Sequence, residues 1–266
     1  MLDSWVGLAT LPLALTAAPA PLAETRGPCP PEMRLVEGQH FEQVAHVCLD
    51  ERADKKTSHC FAYAEDVSVL DGPVTEIRSC MDQFEAPNVR GQKPMVMQSY
   101  ESALRWCKKR GKRACSEQEW ELACEGPSHL PLMYGWSVDV KLCNSNKAWR
   151  PVDFAAFDRS REDALTEAAK LWQGSPSGRF ATCVSPFGVV DMMGNVEEWV
   201  TTRKGRGWPG ALMGGFWAKP WTGCRGTNDA HQPTFAFYET GFRCCKDAAA
   251  PSDEPSEHDG EAATTR

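Results

Sequence analysis

Twelve cysteines in a chain of 266 residues constrain its fold more than any other feature. That density is too high for an ordinary cytosolic enzyme and points to an oxidising compartment, where thiols pair. The cysteines stand at positions 29, 48, 60, 80, 107, 115, 124, 143, 183, 224, 244 and 245, with no C-x-x-C pair among them. That spacing argues against a zinc ribbon. The even count permits complete pairing, while spacing alone leaves the connectivity open. The length suits one sizeable domain.

The two ends read differently from the body. Residues 6–18 (VGLATLPLALTAA) form an apolar run too short to cross a bilayer and followed by small residues and prolines, so residues 1–23 read as a cleaved export leader. No transmembrane span is expected once it is removed. The formal charge is −7. Six acids against Arg266 concentrate it in residues 247–266, and no basic stripe on the body suggests nucleic acid as a partner. Residues 248–266 lack the apolar side chains needed to offset ordering entropy and read as a disordered acidic tail.

Residues 24–74, with Cys29, Cys48 and Cys60, show no helical period and read as an irregular, disulfide-tied segment. Three helices are expected. One covers 100–110 and stops at Gly111; one opens on the capping box Ser116-Glu117-Gln118-Glu119; a third covers 158–172, with Leu165, Ala168, Leu171 and Trp172 on its apolar side. Elsewhere, short segments are broken by 19 prolines and 21 glycines.

Four blocks over residues 75–247 carry a resemblance. They are KPMVMQSYESALRWCKKRGKRACSEQEWELACEG (93–126), GVVDMMGNVEEW (188–199), GGFW (214–217) and GFRCC (241–245). Together, and in this order, they resemble the formylglycine-generating enzymes, or sulfatase-modifying factors. The resemblance implies an α+β, C-type-lectin-like domain with little regular secondary structure. It also implies a calcium site of the Asp191 and Glu198 side chains and the Gly194 and Val196 carbonyls, with Asn144 as a weaker candidate elsewhere. Hard oxygen donors in a bent loop suit that ion; the plainer alternative is a turn whose acids cap backbone amides. A disulfide between Cys124 and Cys244 is implied as well.

Catalysis in that family needs two cysteines about five residues apart between the third and fourth blocks, holding Cu(I) as a bis-thiolate. Here residues 216–239 contain Cys224 alone; Lys219 stands five positions before it and Asp229 five after. Glu197 also replaces the tryptophan usual at its position. The expected function is therefore an exported, calcium-stabilised binding module for a peptide, glycan or envelope protein, without formylglycine-generating activity. The alternative is an active copper oxidase with Cys224 as one ligand. Trp217, Trp221, Arg225, Asn228 and His231 could line a ligand groove, or Trp217 could belong to the core and His231 to an exposed loop. Related iron enzymes carry an added helical domain that these residues do not encode.

Overall fold

The computed structural model describes residues 27–53, 58–219 and 222–250. The expected leader, most of the expected acidic tail and Trp221 lie outside the described residues.

The largest departure from expectation is at the front of the chain. In place of irregular structure, β1 (Met33–Ala53) and β2 (Ser58–Asp82) form a long antiparallel hairpin. Cys29–Cys80 ties its root and Cys48–Cys60 ties it further out. The strand β2 runs unbroken through residues 74 and 75, so the boundary expected there falls inside one element. Only the root has a buried side, where Met33, Val36, Ile77 and Met81 join the core. Further out, Val47, Leu49 and Val69 are all exposed, and a ribbon without a buried face carries no alternating pattern to read.

The helices follow local signals. In α1 (Tyr100–Lys108) the Ser99 hydroxyl accepts from the Ser102 N–H, and the Ser102 hydroxyl accepts from the Ser99 N–H. In α2 (Glu117–Glu125) Ser116 and Glu119 form the expected capping box. The single helix expected over 158–172 is instead two, α3 (Phe154–Arg159) and α4 (Arg161–Leu171). Ser160, in extended conformation, ends the first and caps the second through its hydroxyl. Ala164, Ala168 and Leu171 are buried on α4, whereas Leu165 is exposed.

Two small sheets organise the rest. The hairpin extends through β8 (Cys244–Asp247) to β3 (Arg113–Ala114) in the order β1-β2-β8-β3. The second sheet has the order β6-β5-β4-β7, with β4 (Glu197–Thr201), β5 (Gly210–Met213), β6 (Thr227–Asn228) and β7 (Thr240–Phe242). Its β4–β7 pair is parallel and sets Glu197 opposite Thr240. The result is the expected α+β fold with little regular secondary structure.

Adjacent cysteines on β8 decide much of the cross-linking. Consecutive strand residues point to opposite faces, so Cys244 meets Cys107 of α1 and Cys245 meets Cys115. The implied Cys124–Cys244 bridge does not form. Cys124, in the Trp120 core cluster rather than the Trp199 cluster that holds Cys244, bonds Cys224. Cys143–Cys183 completes the set, and no free cysteine remains.

Candidate functional site

Residues 188–199 lead through a tight turn into β4. Asp191, Gly194 and Asn195 all have left-handed backbone, with φ of 57, 77 and 55°. A Cβ on Gly194 would lie 2.5 Å from the Asn144 carbonyl oxygen, so glycine is required there. The turn hangs on Asn144: the Asn195 N–H donates to its carbonyl at 2.9 Å, and its own amide donates to Asn195 Oδ1 at 3.0 Å.

Behind the turn lies Arg243, 1% exposed. Its Nε and Nη2 donate to the two oxygens of Glu198 at 2.6 Å each, Nη2 also donates to the Val190 carbonyl at 2.9 Å, and Nη1 reaches the Asp82 and Gln83 carbonyls. Trp120 Nε1 donates to Glu198 Oε2 at 2.9 Å. Glu85, fully buried, accepts from Ser177 Oγ and Asn195 Nδ2 at 2.6 and 2.7 Å. Burial, then the charge of Asp191, pushes the Glu85 pKa up to about 8.

This arrangement does not fit calcium. The ion takes six to eight oxygens, but both Glu198 oxygens are committed to Arg243, and Asp191 Oδ2 accepts from the Gly178 N–H at 2.6 Å. Asn144 Oδ1 is left without a partner among the described residues, yet one amide oxygen is far short of a coordination shell. No cluster of three or more acidic, histidine or cysteine side chains suited to a metal occurs among the described residues. Arg243 supplies a positive charge to Glu198 there.

The two positions that depart from the resemblance face each other. Lys219 Nζ donates to Glu197 Oε1 at 2.6 Å, so the charge placed at 197 is matched by the charge placed at 219. Glu197 is 4% exposed, and its N–H donates to the Glu239 carbonyl at 2.9 Å. Glu239 is also buried, and its Oε2 has no partner among the described residues. Burial, then the Glu197 charge, raises the Glu239 pKa to about 8. Lys219 Nζ lies 5.2 Å from the centre of the Phe216 ring, against which Tyr238 packs edge to face at 6.1 Å. His231 stacks on Phe235 at 3.8 Å beside this group, its pKa lowered by burial.

Cys224 is buried and bonded to Cys124, so it offers no thiolate. With all twelve cysteines bridged, the two soft ligands that Cu(I) requires are missing, and the residues present do not fit copper. Asp229, five positions beyond Cys224, pairs with Arg206 at 3.0 Å. The expected groove residues do not converge. Trp217 is core, set edge-on to Trp172 at 5.0 Å, and Asn228 pairs with Leu212 in the β6–β5 ladder. Arg225 turns toward the hairpin, where its Nη1 donates to the Phe41 carbonyl at 2.9 Å, and Glu125 at the end of α2 accepts two of its N–H groups at 2.7 Å each. Of the described groove residues, Trp217 packs on Phe216 at 5.7 Å and His231 feels the charge of Lys219. The pairing of Lys219 with Glu197, the buried Glu239 and the counter-ion role of Arg243 were missed by sequence reasoning, although each residue lies in or beside a recognised block.

The chain belongs to the family of the sulfatase-modifying factor enzyme 1-like domain, which it matches over residues 31–248. It is 34% identical over 116 residues to a formylglycine-generating enzyme of Mycobacterium tuberculosis, a stretch covering 42% of this chain and 34% of that protein. It is 27% identical over 169 residues to the inactive C-alpha-formylglycine-generating enzyme 2 of Bos taurus, covering 60% of this chain and 52% of that one. The matched stretches thus span about half or less of these relatives. Among solved structures, PvdO from Pseudomonas aeruginosa aligns at 18% identity with a TM-score of 0.46, covering 79% of this chain and 94% of that one. CarF aligns at 13% identity with a TM-score of 0.49, covering 80% and 98%. Six disulfides suit an oxidising environment. No helix among the described residues is long and apolar enough to cross a membrane.

Proposed function

We propose that this chain is an exported, non-catalytic binding module on the sulfatase-modifying-factor scaffold, whose ligand face surrounds Lys219 and His231. The observation that carries the reading is the state of Cys224: it is sealed to Cys124, and every other cysteine is also bridged. Converting a cysteine to formylglycine through Cu(I) needs two thiolates, and the position five residues before Cys224 holds a lysine bound to a buried glutamate. Relatives include both a protein named for the activity and one named as inactive, so membership leaves the question to the site.

Exposed rings favour the same face as a binding surface. Trp149 and Phe154 are 59% and 65% exposed, and they lie against Phe216 and Phe237 at 6.5 and 6.0 Å. Such rings at a rim, beside a charged pair, offer a ligand both apolar and polar contacts. A peptide, glycan or envelope protein is the ligand class.

The test is a Cu(I) titration of the oxidised protein, run beside mass spectrometry of a cysteine peptide incubated with it and oxygen. The expected result is neither tight copper binding nor an aldehyde product. An aldehyde formed by the fully bridged protein overturns the reading.

A further inference from the structure

Glu197 and Glu239 are buried neighbours tied through the backbone, and the charges of both Glu197 and Lys219 act on the Glu239 carboxyl. Only Glu197 is hydrogen-bonded to the Lys219 ammonium, at 2.6 Å, while Glu239 Oε2 has no partner among the described residues. The backbones of the two acids are tied together. The Glu197 N–H is bonded to the Glu239 carbonyl at 2.9 Å, and β4 pairs with β7 immediately beyond. The negative face of the Phe216 ring adds to the attraction, with its centre 5.2 Å from Nζ, and Tyr238 closes the side. Lys219, by contrast, is the loosest member, its side chain 34% exposed on a turn closed by its own N–H to the Phe216 carbonyl.

We propose that Glu197, Glu239 and the Phe216 ring form a binding pocket for a primary ammonium, closed in this structure by the chain's own Lys219, and that a lysine side chain or free amino terminus of a peptide ligand enters by displacing it. The proposal rests on the reading that this face binds rather than oxidises. A primary ammonium has three donors to share between two carboxyls. A quaternary ammonium has none, so the pocket discriminates between them.

Chemical rescue tests the pocket in the full, oxidised chain. Lys219→Ala, titrated with ethylammonium, is expected to show a saturable rise in melting temperature of about 2–4 °C. The rise is absent from the wild type at the same concentrations, is lost when Glu239→Leu is added, and is not reproduced by tetramethylammonium. Equal responses in wild type and variant, or none in the variant, overturn the proposal. Should Lys219→Ala not fold alone, refolding yield with and without ethylammonium reads the same property, and no recovery overturns it.

Displacement is read on the wild type by NMR, using Nα-acetyl-lysine amide and alanine amide as probes. Shifts at Lys219 and Phe216 with the first assign a side-chain ammonium, and with the second an amino terminus. Shifts with neither overturn displacement. A failed amine titration removes the pocket and leaves the non-catalytic reading in place, whereas aldehyde formation in the copper experiment removes that reading by itself.

Discussion

At the scale of single residues, charge balance decides what the buried positions are for. Arg243 neutralises Glu198 through two parallel hydrogen bonds while both are about 1% exposed. Removing the guanidinium strands that carboxylate, so Arg243→Met is expected to destabilise the fold by about 3–5 kcal/mol in urea denaturation. Chelators should leave the melting temperature of the wild type unchanged, because both Glu198 oxygens are already committed to Arg243. A chelator-dependent fall would restore calcium to residues 191–198. Glu239 gives the opposite sign. Its folded pKa of about 8 stands above the ordinary glutamate value of 4.5, so the folded state holds the extra proton between those values. That contribution is fully present below pH 4.5 and is lost as pH rises through 8. Glu239→Gln should therefore flatten the fall in urea midpoint between pH 5 and 8, and retention of the full slope would show that Glu239 is not its source. The residues of this site were legible as motif letters, but their partners were not. Nothing local in the sequence says that Lys219 meets Glu197 or that Arg243 meets Glu198, since both pairings depend on how distant loops and the parallel β4–β7 pair come together.

At the scale of elements, legibility tracks whether the signal is local. The boxes Ser99–Ser102 and Ser116–Glu119 are closed within four residues, and the helices that follow them start where the sequence says. The hairpin was hidden because its outer half buries neither face, and its register shifts near Phe41, His46 and Cys48 break whatever alternation remains. Such a ribbon is held by few apolar contacts, so Cys48–Cys60 should act locally. This bridge joins positions 12 apart. Replacing both cysteines with alanine should speed amide exchange and proteolysis in the outer parts of β1 and β2 while leaving the main thermal transition of the body nearly unmoved. A large fall in the main transition would mean that the ribbon and body unfold as one unit.

At the scale of the whole molecule, the cross-links are not independent. Cys107–Cys244 and Cys115–Cys245 each span more than a hundred residues, with separations of 137 and 130, yet they start and end beside one another. Once either exists, the other closes only the short loop from 107 to 115, because 244 and 245 are neighbours. In the chain-entropy account a loop of that size is worth about 2–3 kcal/mol, whereas the first closure, already shortened by Cys124–Cys224 to roughly 40 residues, is worth about 4. Loss of one bridge should therefore be mild for its span, and loss of both should exceed the sum of the single losses by about 1 kcal/mol. Packing losses at the four buried sulfurs enter both sides of this comparison and largely cancel in a double-mutant cycle. The measurement is urea denaturation of Cys107→Ala/Cys244→Ala, Cys115→Ala/Cys245→Ala and the quadruple variant, all kept oxidised. Strict additivity would mean that the denatured chain already holds α1 and β8 together without either bridge. A positive coupling would mean that the paired cysteines of β8 act as a two-point clamp, joining the helical layer to the sheet that carries the hairpin.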